Sequence, residues 1–149
     1  MNKIKDRPDI IFLIYLLIAL TLHFVLPIVQ LIDWPFRFIG IPLIIIGIWL
    51  SVRADGLFKT NKTAIKPFDK PSVLVIEGPF KISRNPMYLG MALALLGEAA
   101  ILGSLITFLA PVIYFIHMRL SFIPGEERNM EETFGQDYLD YKKRVRRWI

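Results

Sequence analysis

Ile10 to Ile32 reads IIFLIYLLIALTLHFVLPIVQLI, and within it only Thr21, His23 and Gln30 are more polar than tyrosine. Such a run exceeds the roughly 20 apolar residues needed to cross about 30 Å of hydrocarbon. It therefore reads as a membrane span. A cleaved signal peptide has a shorter apolar core and a small-x-small cleavage site, which Ile28-Val29-Gln30-Leu31 does not offer, so this first helix is expected to stay. The rest of the chain agrees with a membrane class: 54% of its 149 residues are hydrophobic and the mean hydropathy is +0.50. With no cysteine, disulfides and thiolate metal sites are excluded, and with only His23 and His117 no metal site is expected. The net charge of +5 sits beside apolar runs and no nucleic-acid motif accompanies it, so the basic residues are expected to face membrane lipids rather than nucleic acid.

Outward from the first span, at about residues 10–32, a second apolar segment covers about 35–52, with Gly40 and Gly47 one heptad apart as a small-residue packing face. Arg53 and Asp55 are expected to end it. The stretch from Arg53 to Asn85 contains Pro67, Pro71 and Pro79 and the short run Val73-Leu74-Val75-Ile76, and it reads as a loop on the membrane surface. Spans at about 86–102 and 104–123 form a tight hairpin turning at Leu102-Gly103-Ser104, with a kink expected at Pro111. Gly90, Ala94 and Gly97 line one face of the third helix and invite close approach by another helix or by a ligand. Four spans put 17 of the 18 Lys and Arg residues, all but Arg37, on one side. The positive-inside rule makes that side the cytoplasm and the membrane the inner, or plasma, membrane. Four short spans leave much lipid-facing surface, which a homodimer would cover.

The segment from about 125 to 148 is charged yet periodic. Met130, Phe134, Tyr138, Tyr141, Val145 and Trp148 recur at helical spacing, which predicts an amphipathic helix lying in the interface or folding over the bundle, with a bend at Gly135. The predicted fold is thus all-α: about four transmembrane helices and a carboxyl-terminal amphipathic helix in one domain.

Two clusters carry chemistry. The first is Gly78-Pro79-Phe80-Lys81-Ile82-Ser83-Arg84-Asn85-Pro86-Met87-Tyr88-Leu89-Gly90, at the mouth of the third span. Asn85 reads as an N-cap and Pro86 as the first helical residue, which accounts for Asn-Pro but not for Arg84 or Tyr88. Tyr88 reads either as an interfacial belt residue or as a hydroxyl aimed at a ligand. The second cluster is Glu126-Glu127, where acidic residues either complement a helix dipole or face the mouth formed by the first cluster. His117 and Arg119 lie near the end of the fourth span. Ionisable residues there are candidates for substrate contact, unless Arg119 snorkels and His117 bonds a neighbouring helix.

Arg-Asn-Pro-Met-Tyr-Leu-Gly at 84–90, a hairpin from Met91 to Gly125, Glu126-Glu127, and then Phe134-Gly135-x-x-Tyr138-x-x-Tyr141 together resemble the isoprenylcysteine carboxyl methyltransferase family and its phospholipid methyltransferase relatives. That family's pattern is RHPxYxG, a membrane hairpin, EE and FGxxYxxY, and the resemblance covers roughly Ser72 to Val145. It implies a membrane methyltransferase using S-adenosylmethionine. The implied cofactor contacts fall on Ser72, Val73, Leu74 and Val75, on Phe80 where the family usually has Tyr, on Asn85, Pro86, Met87 and Tyr88, and on Glu126. Asn85 stands where the family has His; it keeps a hydrogen-bonding side chain but cannot become cationic, which leaves a positioning role.

Methyl transfer from a sulfonium is an in-line displacement that reduces charge, so alignment and desolvation matter more than acid–base chemistry. An amine acceptor needs a base, for which Glu127 or His117 is the nearest candidate; a carboxylate or thiolate acceptor needs none. The implied acceptor is a lipophilic molecule entering sideways from the bilayer. Two other classes compete: a four-span transporter, for which Glu98 is the one acidic intramembrane candidate, and a membrane reductase using a nicotinamide cofactor. Cofactor binding separates the three.

Overall fold

A computed structural model describes residues 7–26, 28–63 and 71–149. Among these residues six α-helices follow in order: α1 Pro8–Val25, α2 Gly40–Thr60, α3 Pro86–Leu102, α4 Leu109–His117, α5 Ile123–Phe134 and α6 Gln136–Arg144. Among the described residues, three helical stretches are long and apolar enough to cross a membrane: Pro8–Val25, Phe36–Thr60 and Leu105–Phe134. The fourth, α3, has 17 residues, about 25 Å of helix at 1.5 Å per residue. Leu13, Leu17, Ile45 and Trp49 on the first two helices are exposed, as lipid-facing side chains are.

α3 is the centre of the bundle, and glycine decides how near α2 comes to it. A Cβ built on Gly47 would lie 2.4 Å from the Gly90 carbonyl oxygen and 2.8 Å from the Ala94 nitrogen, and one on Gly90 would lie 2.4 Å from the Gly47 carbonyl oxygen. Both small-residue faces read from the sequence therefore meet each other, backbone against backbone. Ser51 adds a hydrogen bond of 3.1 Å to the Met87 carbonyl across the same seam. Gly47→Ala is expected to force α2 off α3 at a cost of about 1–3 kcal/mol, since backbone atoms cannot move aside. Gly56→Ala, where a Cβ meets nothing within 4 Å, is expected to stabilise α2 by about 0.5–1 kcal/mol. Thermal unfolding of the two variants in one detergent checks the opposite signs.

Several boundaries differ from expectation. α1 ends at Val25 and does not continue to Ile32, because a residue ahead of proline is pushed out of the α region, and Leu26 has φ −133°. The chain beyond it pairs with the hairpin turn: Leu31 and Ile32 donate to the Gly103 carbonyl at 2.7 and 3.2 Å, and Leu105 donates to the Val29 carbonyl at 2.8 Å. Gly103 makes that turn with φ +74°. α2 continues about two turns past Arg53 to Thr60, since Ala54, Leu57 and Phe58 form an apolar stripe against Val75 and Phe80 while Asp55 pairs with Lys59 at 2.5 Å. The predicted loop thus begins after Thr60; its middle, 64–70 with Pro67, lies outside the described residues.

Pro111 sits in the first turn of α4, where its missing N–H is no loss. The irregularity is a wide π-helical turn at Met118–Phe122, closed by a hydrogen bond from the Ile123 N–H to the Met118 carbonyl, one residue before Pro124. Helix continues through it into α5, so Glu126 and Glu127 do not open a separate amphipathic helix. Gly135 (φ +53°) bends α5 into α6 as expected, but helix stops at Arg144. Val145 and Trp148 are therefore not on the helical face predicted for them; the last residues leave the helix and fold back.

Candidate active site

The mouth of α3 is built by the residues that precede it. Gly78–Lys81 forms a short 3-10 turn that buries Phe80, whose ring lies 5.1 Å from that of Phe58 of α2 at a tilt of 57°. Val75, Phe80 and Met87 share one apolar cluster with Ala54. Ser72 and Val73 are exposed, but their backbone N–H groups are held by the Thr63 hydroxyl at 3.0 and 3.3 Å, which ties this run to the end of α2. Leu74 is half-buried between them and Val75.

Pro86 opens α3 as expected. Asn85 does not cap it: no side-chain cap bond is made, and its amide instead donates to the Arg147 carbonyl at 2.9 Å. The reason is tertiary, because the carboxyl-terminal tail returns alongside the motif. The Arg84 N–H donates to the Arg146 carbonyl at 3.0 Å and the buried Ser83 hydroxyl reaches the Arg147 carbonyl at 3.3 Å. Tyr141 of α6 donates to the Phe80 carbonyl at 2.7 Å, and burial pushes its phenol up to about 12, which keeps it a donor. Trp148 stacks on Phe115 of α4 with ring centroids 4.2 Å apart.

The two chemical clusters meet. Tyr88 is 6% exposed and lies inside the bundle rather than in a lipid-facing belt; its hydroxyl donates to the Glu126 carboxylate. One position on, Glu127 accepts from Arg84 Nη2 at 2.9 Å, from Arg147 Nε at 3.0 Å and from Arg147 Nη2 at 2.6 Å. Its side chain is 9% exposed, so this is a buried carboxylate between two guanidiniums. Both oxygens are committed to charge-assisted bonds, an arrangement that suits holding the tail better than taking a proton from an acceptor. Donating to Glu127 raises the Arg147 guanidinium still further.

His117 and Arg119 are not drawn into this cluster by any contact among the described residues. His117 Nδ1 meets the Tyr15 hydroxyl at 3.3 Å, joining α4 to α1, and its ring lies 5.9 Å from Phe122. Arg119 is exposed on the π-helical turn. Arg147, by contrast, is a site residue that the sequence did not single out, since it lies 20 positions from Glu127 in a tail that reads only as basic. Beside the site, Leu89, Leu93, Phe108, Val112 and Phe115 line an apolar groove of about 510 Å³ between α3 and α4. Among the described residues no group of three potential metal ligands occurs.

Comparison with known proteins places these residues in a family. The phospholipid methyltransferase family profile matches residues 36–137. The chain belongs to the phospholipid methyltransferase family. The matched region contains α2, α3, the hairpin and the Glu126-Glu127 pair, while Tyr141 and the tail residues Arg146 and Arg147 lie beyond it. The chain is also 28% identical over 115 residues to protein-S-isoprenylcysteine O-methyltransferase B of Arabidopsis thaliana, a match that covers 75% of this chain and 58% of that relative. An uncharacterized protein of Haemophilus influenzae is 36% identical over 63 residues, covering 42% of this chain and all of the relative. No solved structure matches the chain.

Proposed function

We propose that this phospholipid methyltransferase family member is a membrane-embedded S-adenosylmethionine-dependent methyltransferase acting on a lipophilic small molecule or lipid. The observation that carries this reading is the contact of Tyr88 with Glu126, 38 positions apart, which joins the α3 motif to the acidic pair across the hairpin. The residues present suit the cofactor's chemistry. Glu126 offers an anionic acceptor to a cationic amino group, and Tyr88 orients that carboxylate through its hydroxyl. Val75, Phe80 and Met87 beside the α3 mouth supply apolar surface for a flat ring. S-adenosylmethionine, when bound, supplies an electrophilic methyl group. The chain's own part is to align an acceptor and exclude water, with the groove between α3 and α4 as the apolar path by which an acceptor reaches the mouth from the bilayer.

Calorimetry of the detergent-purified protein is expected to detect binding of S-adenosylmethionine and its demethylated product, and none of NADPH. Binding of NADPH alone would replace this reading with a reductase.

The membrane proposed is the inner (plasma) membrane, with both termini cytoplasmic. Cysteines introduced at Lys62 and Lys142 are expected to be shielded from an impermeant thiol reagent in intact cells, whereas one at Asp33 reacts. Labelling of the first two overturns the topology.

A further inference from the structure

Arg84 has bonds left over. Its side chain is 8% exposed and spends Nη2 on Glu127, while Nε and Nη1 are buried with no hydrogen-bond partner. Unpaired buried donors are rare, and on a guanidinium they carry a full charge. The surroundings do not fully neutralise it: Arg84 and Arg147 share the carboxylate of Glu127, and among the described residues no ion pair joins Arg84 to Glu126. A second feature points the same way. Arg84 stands directly before α3, whose first-turn N–H groups receive no side-chain cap because Asn85 is turned to the tail. An uncapped helix N-terminus beside a half-used guanidinium fork is arranged to receive an oxyanion.

We propose that Arg84 is a carboxylate anchor, with Nε and Nη1 binding the acid group of a ligand while Nη2 stays on Glu127. The choice of ligand rests on the methyl-transfer reading, under which two sources offer a carboxylate: the amino-acid end of the methyl donor, or an acidic lipophilic acceptor. For the donor, a carboxylate on α5 and a guanidinium just ahead of α3 would take the two charges of one zwitterion, the amino group on Glu126 and the carboxylate on Arg84. In the described structure neither nitrogen meets solvent, so binding requires side chains around Tyr138 and Tyr141 to part; both phenols lie within electrostatic reach of Arg84.

The test uses Arg84→Lys, which keeps a cation for Glu127 but lacks the fork, with Arg84→Gln as the harsher variant. Full-length wild type and variants are titrated in detergent with S-adenosylhomocysteine, with its decarboxylated analogue, and with decanoate. If Arg84 holds the donor, wild type is expected to prefer the carboxylated ligand by about tenfold or more, and Arg84→Lys to erase that preference without moving Tm. If it holds an acceptor acid, the preference is unchanged but decanoate binds wild type and not Arg84→Lys. Unaltered affinity for all three ligands in a folded Arg84→Lys protein overturns the anchor. Failure of both adenosyl ligands to bind wild type removes the methyltransferase reading instead, and the decanoate titration still decides Arg84.

Discussion

Glu127→Ala is expected to destabilise the protein by about 3–5 kcal/mol, because it leaves two guanidiniums, one of them buried, without their common partner. Part of the Arg147 contribution is screened, its side chain being 34% exposed, which places the expected value toward the lower end. The loss should be accompanied by release of the tail. Arg147 is clamped by Glu127, and the tail's carbonyls hold Ser83, Arg84 and Asn85 only while it stays in place. A lowered Tm in detergent together with faster tryptic cleavage after Arg146 and Arg147 is the expected result. Glu127→Gln, which retains hydrogen-bonding capacity but not charge, should fall between. An unchanged Tm in Glu127→Ala would mean that the ion-pair cluster does not hold the tail.

Glu126→Gln is expected to weaken S-adenosylmethionine by roughly tenfold to a hundredfold, the worth of one charge-assisted contact of about 1.5–3 kcal/mol. The same substitution should leave the unliganded protein folded. Helical backbone continues through the π-helical turn into α5, so the residues ahead of Glu126 are already helical, and glutamine still accepts the Tyr88 hydroxyl. Tyr88→Phe tests the partner in the pair. A belt tyrosine tolerates phenylalanine, whereas the hydroxyl that orients Glu126 does not, and a loss of affinity similar to that of Glu126→Gln is expected. Wild-type affinity in both variants, measured in the same detergent, would dismiss the site as drawn.

The pairing of the α3 mouth with the acidic pair was legible because both ends carry recognisable residue types and the intervening hairpin dictates that they return to the same level. Gly40, Gly47, Gly90, Ala94 and Gly97 were legible for a similar reason: small residues at helical spacing have few uses in a membrane helix other than close approach. Other positions misled by being locally sufficient. Asn85 satisfies every local criterion for an N-cap, yet the Arg147 carbonyl, 62 residues away in sequence, takes its amide. Pro111 falls in the first turn of α4, and a wide π-helical turn that the sequence did not announce lies ahead of Pro124. Arg53 and Asp55 look like the end of a helix because charge is disfavoured in hydrocarbon, yet α2 continues past them to Thr60.

By itself the sequence determined the membrane class, the apolar segments and the residue types at the mouth of the site, since hydrophobic length, charge distribution and helical periodicity are properties of short stretches. Only the tertiary structure decided that the last residues leave the helix and fold back, that Glu127 is shared by Arg84 and Arg147, and that Tyr88 is sealed inside the bundle. Those contacts join positions 20 to 64 residues apart. They depend on which buried donors and acceptors find one another once the helices have packed, a requirement that leaves no periodic trace in the chain.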